Sequence, residues 1–574
     1  MKRLLLSVLI ASAQIAFAQT SSGSIPIISA PTIKISPDLP ISASSQLVDV
    51  IVQFKAVPNV IGQQASFNGN VSQVALNGQV KATLPTINGV HMQLPAAALQ
   101  ALQSNPNVKY ITPNRKIKKT LDITTRTVNA DLAWNLGWDG TGVGVAVIDS
   151  GITPVQDLTG TANNSRIVYS QSFISGVTDP TDAYGHGTHV AGIIGSRGTD
   201  STGSGFSRTF KGVAPNVSLI NLRVLDQNGM GQEADVITAI QTAIALKNTY
   251  NIRVINLSMG TPVFESYTLD PLCQAVEAAW NAGIVVVAAA GNSGRDNSLG
   301  TNGFGTIVSP GNDPYVITVG ATNAHGIVSR SSDTIATYSS KGPTLIDHIV
   351  KPDIVAPGNG VVSLLASPGA TLFQTAATHV ADAYYETNGS SRVASTDYLQ
   401  LSGTSMATPV VSGAAAILIE KNPSLTPDQV KARLMKTAWK IMPQYAVGRD
   451  AITLAMFNNQ ADIFTIGAGI LDINAALASN DLATKPALSP SVVYNSATHC
   501  VTLVRPIWGD SVVWGDSVVW GDTIFVGTLN GLSVVWGDSV VWGDTTLTGY
   551  SVVWGDSVNL SSVLTALADG DSDQ

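Results

Sequence analysis

A serine hydroxyl is inert toward amides at neutral pH unless a base takes its proton, a third group orients that base, and donors receive the oxyanion that forms. Residues 403–409, GTSMATP, offer such a hydroxyl at Ser405. The glycine permits close backbone approach, and the run TPVVSGAAAILIEK at 408–421 has helix character. Free N–H groups and the positive end of a helix dipole would then lie at the serine. By itself the pattern equally describes small residues packed tightly where an Ala-rich helix begins. Its partners must be sought upstream.

Three segments supply them. Residues 143–149, VGVAVID, form a near-continuous apolar run that ends in Asp149. This is the pattern of a buried parallel strand with its acid at the carboxyl end, where open α/β sheets place ligands. A strand-end aspartate also serves as a simple turn cap. Residues 184–192, YGHGTHVAG, set His186 between glycines that leave the imidazole reachable, and lead into a helix. His189, three residues on, raises the alternative of a metal pair, but zinc pairs favour i, i+4 spacing with a carboxylate nearby. His189 is therefore read as a buried structural histidine, and no metal site is assigned. Residues 288–294, AAAGNSG, follow an apolar strand at 284–287, so Asn292 is an amide at another strand's carboxyl end. Asn-Ser-Gly is also good turn chemistry.

The order Asp149, His186, Asn292, Ser405, each in its full local motif, resembles the subtilisin-like serine proteases (subtilases, peptidase family S8) over residues 130–480. The stretches GVAP at 212–215, LRVLDQNGMG at 222–231, VINLSMG at 254–260, YSSKGP at 338–343 and APG at 356–358 belong to the same resemblance. It implies an α/β fold with a mostly parallel sheet flanked by helices, and a secreted serine endopeptidase. Ser405 is then the nucleophile, and His186 the general base and later the acid. Asp149 orients the imidazole, and the Asn292 side chain with the Ser405 N–H forms the oxyanion hole. A protein or peptide substrate is expected to lie extended along Ser258, Met259, Gly260 and the loop at Gly231, adding a strand. The rival serine-hydrolase plan needs G-x-S-x-G and the order Ser, Asp, His, and Ser405 has neither. No cofactor is required for this chemistry. Many relatives bind structural calcium. Asp157 aligns with one such ligand, although its segment is one residue short and lacks a second acid nearby.

The chain around this constellation has 574 residues, room for several cores, and only 12% charged residues, which argues against nucleic-acid binding. The net charge is −8, and residues 506–574 hold nine Asp with no Lys, Arg or Glu, so −8 − (−9) leaves +1 elsewhere. Residues 1–18 have the form of a secretory signal: Lys2 and Arg3, an apolar stretch, then Ala16-Phe17-Ala18. No later segment is long and apolar enough to span a bilayer, so the expected location is extracellular or cell-surface associated. Cys273 and Cys500 are read as unpaired thiols, at least one of them buried.

Residues 19–45 read as a linker, and 46–120 as a small α+β unit. Strands are expected at 48–54 and 108–112, a hairpin about Asn88-Gly89 within 80–94, and a helix at 95–103 with Pro95 in its first turn. The unit resembles the ferredoxin-like inhibitor I9 propeptide of subtilases. That implies an inhibitor removed by self-processing, with the basic stretch RKIKK at 115–119 near the junction.

The peptidase domain is expected over 121–480, with 365–397 as a surface insertion that either shapes the cleft or, the favoured reading, is inert, and a capped helix from Thr426. A connector at 481–505 leads to a tail at 506–574 that repeats SVVWGD, headed by Trp508, Trp514, Trp520, Trp536, Trp542 and Trp554. V-V-W favours strand and G-D favours turn, so short β segments are expected there. The alternative function is a secreted surface- or glycan-binding protein whose tryptophan repeat does the work. Every motif that carries chemistry precedes residue 480, so deleting the tail is expected to leave hydrolysis intact.

Overall fold

A computed structural model describes residues 34–36, 39, 47–55, 63–75, 77–84, 87–113, 123–160, 164–298, 300–375, 379–450, 453–495, 500–504, 527–529, 532–534, 540–541 and 571. Two units form, one within Met1–Lys118 and one within Lys119–Gln574.

In the first unit β1 (Leu47–Phe54), α1 (Gln63–Ala75), β2 (Gln79–Leu84), β3 (Gly89–Pro95), α2 (Ala98–Ser104) and β4 (Val108–Pro113) follow the βαββαβ order. Their antiparallel sheet runs β2-β3-β1-β4. Alternation builds its core: Val50, Val52 and Phe54 of β1 are buried with Val90, Met92 and Leu94 of β3. Asn88 takes φ 49° in the turn, and Gly89 is already the first residue of β3.

Three details differ from the sequence reading. Helix α1 carries Gly69 and two asparagines, which hides its period; Phe67 and Val74 anchor it. Pro95 closes β3 and is not in the first turn of α2, which starts at Ala98. Ile35, inside the stretch read as linker, is buried and bridges Ile111. The signal at 1–18 and the junction at 115–119 lie outside the described residues.

The second unit opens with two short helices, α3 (Ile123–Thr127) and α4 (Ala130–Asn135). Strands β5 (Gly144–Asp149) and β6 (Ile167–Ser172), helix α5 (His186–Gly195) and strand β7 (Ser218–Arg223) follow. Next come α6 (Glu233–Tyr250), β8 (Ile252–Leu257), α7 (Pro271–Asn281) and β9 (Val285–Ala289). Strands β10 (Ile317–Asn323), β11 (Thr334–Ile335) and β12 (Ile354–Pro357) complete one sheet. Its order is β11-β10-β9-β8-β5-β7-β6, with β12 beside β10; β11 is antiparallel to β10 and the other pairings are parallel. Every residue of β5 and β9 is buried, as apolar strands covered on both faces must be.

Beyond it lie β13 (Val361–Leu364), α8 (Thr371–Thr375), β14 (His379–Ala381), β15 (Ala394–Leu401) and α9 (Thr404–Lys421). Helix α9 is buried from Thr404 to Ile419 and packs on β8, β9, β10 and β12. The stretch 365–397 does not lie wholly on the surface. Leu372, Val380 and Tyr385 join the main core, and β13-β15-β14 form a small sheet.

Helix α10 (Pro427–Thr437) begins with the expected capping box, Thr426 and Gln429 exchanging bonds. Strands β16 (Tyr445–Arg449) and β17 (Met456–Gln460) form a hairpin, followed by α11 (Ile473–Ala478). The stretch read as a connector packs onto this unit: Ser489 bonds Lys431 and Asp353. Within it β18 (Ser491–Asn495) pairs with β19 (Cys500–Val504). Of residues 506–574 the description covers β20 (Gly527–Leu529) paired with β21 (Leu532–Val534), β22 (Val540–Val541) paired with β19, and Asp571. The six repeat tryptophans lie outside it. Cys273 is a free, buried thiol.

Candidate active site

Four neighbouring strands, β9-β8-β5-β7, end at one edge of the sheet. Asn292 follows β9, residues 258–260 follow β8, Asp149 ends β5, and the loop to Gly231 follows β7. Parallel alignment places their carboxyl ends together, at the edge where such sheets bind ligands. Helices α5 and α9 begin with the other two groups, His186 at the first position and Ser405 at the second.

Asp149 is fully buried and His186 is 4% exposed. The His186 Nδ1–H donates to Asp149 Oδ1 at 2.7 Å, and the Ser150 N–H donates to the same oxygen at 2.8 Å. Gly187 permits this approach, since a Cβ there would lie 2.2 Å from the Gly151 carbonyl oxygen and 3.1 Å from Asp149 Cβ. With Nδ1 committed as donor, Nε2 is left as the acceptor of the neutral ring. Burial opposes a charge on His186, but Asp149 and then Asp182 outweigh it and raise its pKa above the ordinary histidine value.

Asp182 was missed in the sequence, where its only signal is an acid four residues before His186. It is buried and accepts from Ser150 Oγ at 2.8 Å, Gly185 N at 2.7 Å and Thr188 N at 2.8 Å. The Ser150 hydroxyl in turn accepts from Gly187 N at 2.9 Å. One carboxylate thereby ties the end of β5 to the start of α5. The stretch 365–397 braces the same loop, because the N–H groups of Thr371 and Leu372 donate to the carbonyls of Ala183 and Tyr184.

Ser405 is 7% exposed, and its hydroxyl donates to the Ser258 carbonyl at 3.0 Å. The Ser258 hydroxyl returns a bond to the Ser405 carbonyl at 2.9 Å. That carbonyl needs a donor from outside the helix, because Pro409, four residues on, has no N–H to offer it. Asn256 and Ser412 extend the chain of bonds, Asn256 Nδ2 donating to Ser258 Oγ at 3.0 Å and Ser412 Oγ to Asn256 Oδ1 at 2.8 Å.

Asn292 is oriented by the residue before the serine. Thr404 N–H and Thr404 Oγ1–H both meet its side-chain oxygen, at 2.9 and 3.1 Å. A backbone N–H can only donate, so the atom it meets is Oδ1, and the Nδ2 amide is turned the other way. The arrangement presents a donor fixed relative to the serine's own helix start, suited to a negative oxygen. Gly231 and Gly260 are exposed and Met259 is half-buried, so backbone at these positions is accessible beside the serine-bearing edge.

His189 is separate from this chemistry. It is fully buried, and its Nε2 meets the carbonyls of Val361 at 3.1 Å and Leu399 at 3.0 Å, which makes it a donor there. Burial, then the neighbouring His186, lowers its pKa to about 3. Among the described residues no group of three or more His, Cys, Asp or Glu is placed to hold a metal ion. The carboxylate of Asp157, considered above as a calcium ligand, accepts hydrogen bonds on both oxygens. Its Oδ1 accepts from Asp200 N at 2.9 Å, and its Oδ2 from Ser196 Oγ at 3.0 Å and Tyr398 OH at 2.9 Å. The buried Arg166 guanidinium donates to the carbonyls of Asp157, Gly195 and Val217.

Residues 140–469 match the subtilase family. The chain is 37% identical over 395 residues to "Serine protease AprX" of Bacillus subtilis (strain 168), spanning 67% of this chain and 82% of that protein. It is 33% identical to "Subtilisin E" of the same organism, covering 66% and 82% of the two chains. It is 33% identical to "Subtilisin DY" of Bacillus licheniformis, covering 61% and 96%. A buried carboxylate–imidazole pair, a serine opening a buried helix, and a family match across the whole sheet agree: the chain belongs to the subtilase family and is a subtilisin-like serine endopeptidase.

Proposed function

We propose that Ser405, His186 and Asp149 are the catalytic triad of this protease and that Asn292 completes its oxyanion hole. The observation that carries the reading is the 2.7 Å bond from His186 Nδ1 to Asp149 Oδ1 at the carboxyl edge where α9 presents Ser405. Ser405 Oγ attacks the scissile carbonyl carbon while His186 Nε2 takes the hydroxyl proton. The tetrahedral oxyanion is received by Asn292 Nδ2–H and the Ser405 N–H, which is spare because it lies in the first turn of α9. Collapse breaks the C–N bond, and the imidazolium gives its proton to the leaving amine. Water then repeats the sequence on the acyl-enzyme. Asp149 stabilises the imidazolium and holds the tautomer. Backbone at Gly231 and at Ser258, Met259 and Gly260 binds the extended substrate as an added strand.

The chain is made as a secreted precursor. The βαββαβ unit within 46–120 serves as its inhibitory propeptide and is removed by the enzyme itself, a reading supported by its topology and its place before the protease domain. No cofactor is needed for the chemistry.

The test is casein hydrolysis by the matured chain with and without phenylmethylsulfonyl fluoride. Loss of activity with a sulfonyl adduct on Ser405, and none with 1,10-phenanthroline, is the expected result. Inhibition by the chelator with no adduct on Ser405 would overturn it.

A further inference from the structure

Asp571, in the acidic tail, is held by the protease unit. Asp571 is 6% exposed, although it lies within the acidic tail and three residues from the end of the chain. Its Oδ1 accepts from Arg295 Nη2 at 2.8 Å and Thr337 Oγ1 at 2.5 Å, and its Oδ2 from the Thr337 N–H at 2.7 Å. Its backbone is held as well: the Asp571 N–H donates to Asn359 Oδ1 at 2.7 Å, and Asn359 Nδ2 donates to the Asp571 carbonyl at 2.9 Å. The second arm of the Arg295 fork goes to Asp450. The strand carrying Gly448 passes so close that a Cβ there would lie 2.2 Å from Thr337 Cγ2 and 3.3 Å from Asp571 Oδ2. A half-buried guanidinium, a hydroxyl and a backbone N–H meet the carboxylate, and an amide pairs with both edges of the Asp571 backbone, which together make a built site for an aspartate.

The three segments that hold Asp571 are the ones that set the reaction centre. Arg295 lies three residues after Asn292, and the Gly294 N–H between them bonds the Tyr338 carbonyl at 2.8 Å. Thr337 begins the segment whose Ser340 Oγ accepts from Ser293 N at 3.1 Å. Asn359 sits between Gly358, whose carbonyl accepts from Gly403 N at 2.8 Å, and Gly360, whose N–H donates to Ser402 Oγ at 2.9 Å. Residues 402 and 403 lead directly into Thr404 and Ser405.

We propose that Arg295, Thr337 and Asn359 form a binding site for an aspartate in an acidic peptide segment, filled in cis by Asp571, and that its occupation positions the Asn292 loop against the approach to Ser405. Arg295, Thr337, Asn359 and Asp571 are positioning residues: they touch no reacting atom and act through the segments that carry Asn292 and Ser405. The inference rests on the roles proposed above for those two residues. It also revises the sequence expectation that the tail is dispensable, because a chain without its last residues loses the carboxylate that joins the three segments.

The test compares the full matured chain with Asp571→Asn, which keeps shape and removes charge. A second chain stops after residue 565 and is assayed with a synthetic peptide of residues 566–574, carrying either Asp or Asn at position 571. Asp571→Asn is expected to lower kcat by about 3- to 30-fold, below the about 10²–10³ of losing the oxyanion donor outright, with KM changed less than about twofold. Its melting temperature should fall by about 2–6 °C. The Asp peptide should restore kcat to the shortened chain and the Asn peptide should not. Wild-type kcat and melting temperature in Asp571→Asn would overturn the site. A lowered melting temperature with wild-type kcat well below melting would overturn the positioning role. If the shortened chain does not fold, the point variant alone decides. Failure of the protease reading is recognised separately, by absence of a sulfonyl adduct on Ser405 in the wild type. Faster hydrogen exchange at the Thr337 amide in Asp571→Asn would still report the contact in that case, and unchanged exchange would overturn it.

Discussion

Ser258 and Ser405 exchange hydrogen bonds, hydroxyl to carbonyl in both directions, at 2.9 and 3.0 Å. The Ser258 hydroxyl serves the carbonyl that Pro409 leaves without an intrahelical donor. A proline inside a buried helix is ordinarily costly, and here its cost falls on Ser405, the proposed nucleophile. Ser258 offsets it from the neighbouring strand end.

Ser258→Ala should therefore strand a buried carbonyl, lowering stability by about 1–3 kcal/mol and lowering kcat as the first turn of α9 shifts. Pro409→Ala in the same chain restores an N–H to that carbonyl, so the double variant should regain most of the loss. Thermal unfolding and kcat for the four chains of the cycle check this. Additive losses would show that the two residues do not share the carbonyl.

Asn292→Ala should reduce kcat by about 10²–10³, a magnitude established for an oxyanion donor in this same family, with little change in KM. Thr404→Val removes the hydroxyl that meets Asn292 Oδ1 and accepts from Gly291 N, while keeping the Thr404 N–H contact. Its loss of kcat should be smaller than that of Asn292→Ala. Steady-state kinetics on a peptide anilide separates the two, and equal losses would mean that the backbone contact alone does not orient the amide.

In the proposed mechanism His186 must be neutral to accept the Ser405 proton, and its pKa is raised above the ordinary value. Activity is thus lost as pH falls through a midpoint higher than the about 6.5 of a free imidazole. Burial opposes this shift, and the charges of Asp149 and Asp182 produce it. Asp182→Asn should move the acid limb of kcat/KM to lower pH. A limb that stays in place would remove Asp182 from the electrostatics of the site.

Asp353 is buried between Lys351 at 2.8 Å and Lys431 at 3.3 Å, and accepts from Thr318 N and Ser489 Oγ. Burial alone would raise its pKa, but Lys351 and Lys431 hold it below the usual carboxylate range. A carboxyl depressed in this way stabilises the fold above its unfolded pKa, and the gain is lost as pH falls through the folded value. Asp353→Asn should cost about 3–5 kcal/mol at neutral pH and flatten the acid limb of the stability curve. Denaturant unfolding at several pH values measures both.

Ser405→Ala should fold and remain joined to the unit at 46–119, since only a hydroxyl is removed. His186→Ala should behave alike, because groups acting as one catalytic unit are not additive. Asn292→Ala should mature slowly. Gel analysis of purified variants over time follows the leader, and its loss from Ser405→Ala at the wild-type rate would assign processing to another protease.

Where the candidate residues sit on their strands and helices was legible because those signals are local. Asp149 ends an unbroken apolar strand, His186 opens a helix behind Gly185, and Thr426 with Gln429 spells a capping box; each needs only neighbours within a few residues. Helix α1 was not legible, because Gly69 and two asparagines dilute its apolar period and the sheet beneath it supplies the order. The stretch 365–397 looked inert because Leu372, Val380 and Tyr385 are scattered among polar residues, and only the fold gathers them into the core.

By itself the sequence determined which residue types stand at the strand and helix ends and which strands are buried, since side-chain type and apolar period are properties of short segments. The tertiary structure alone decided which groups serve one another. Thr404 orients Asn292 across 112 residues, Ser258 replaces the donor that Pro409 lacks across 147, and Arg295 holds Asp571 across 276. A periodic pattern records that a polar group will be buried but not which partner will satisfy it. That choice is made only when the strands take their order in the sheet and bring distant ends together.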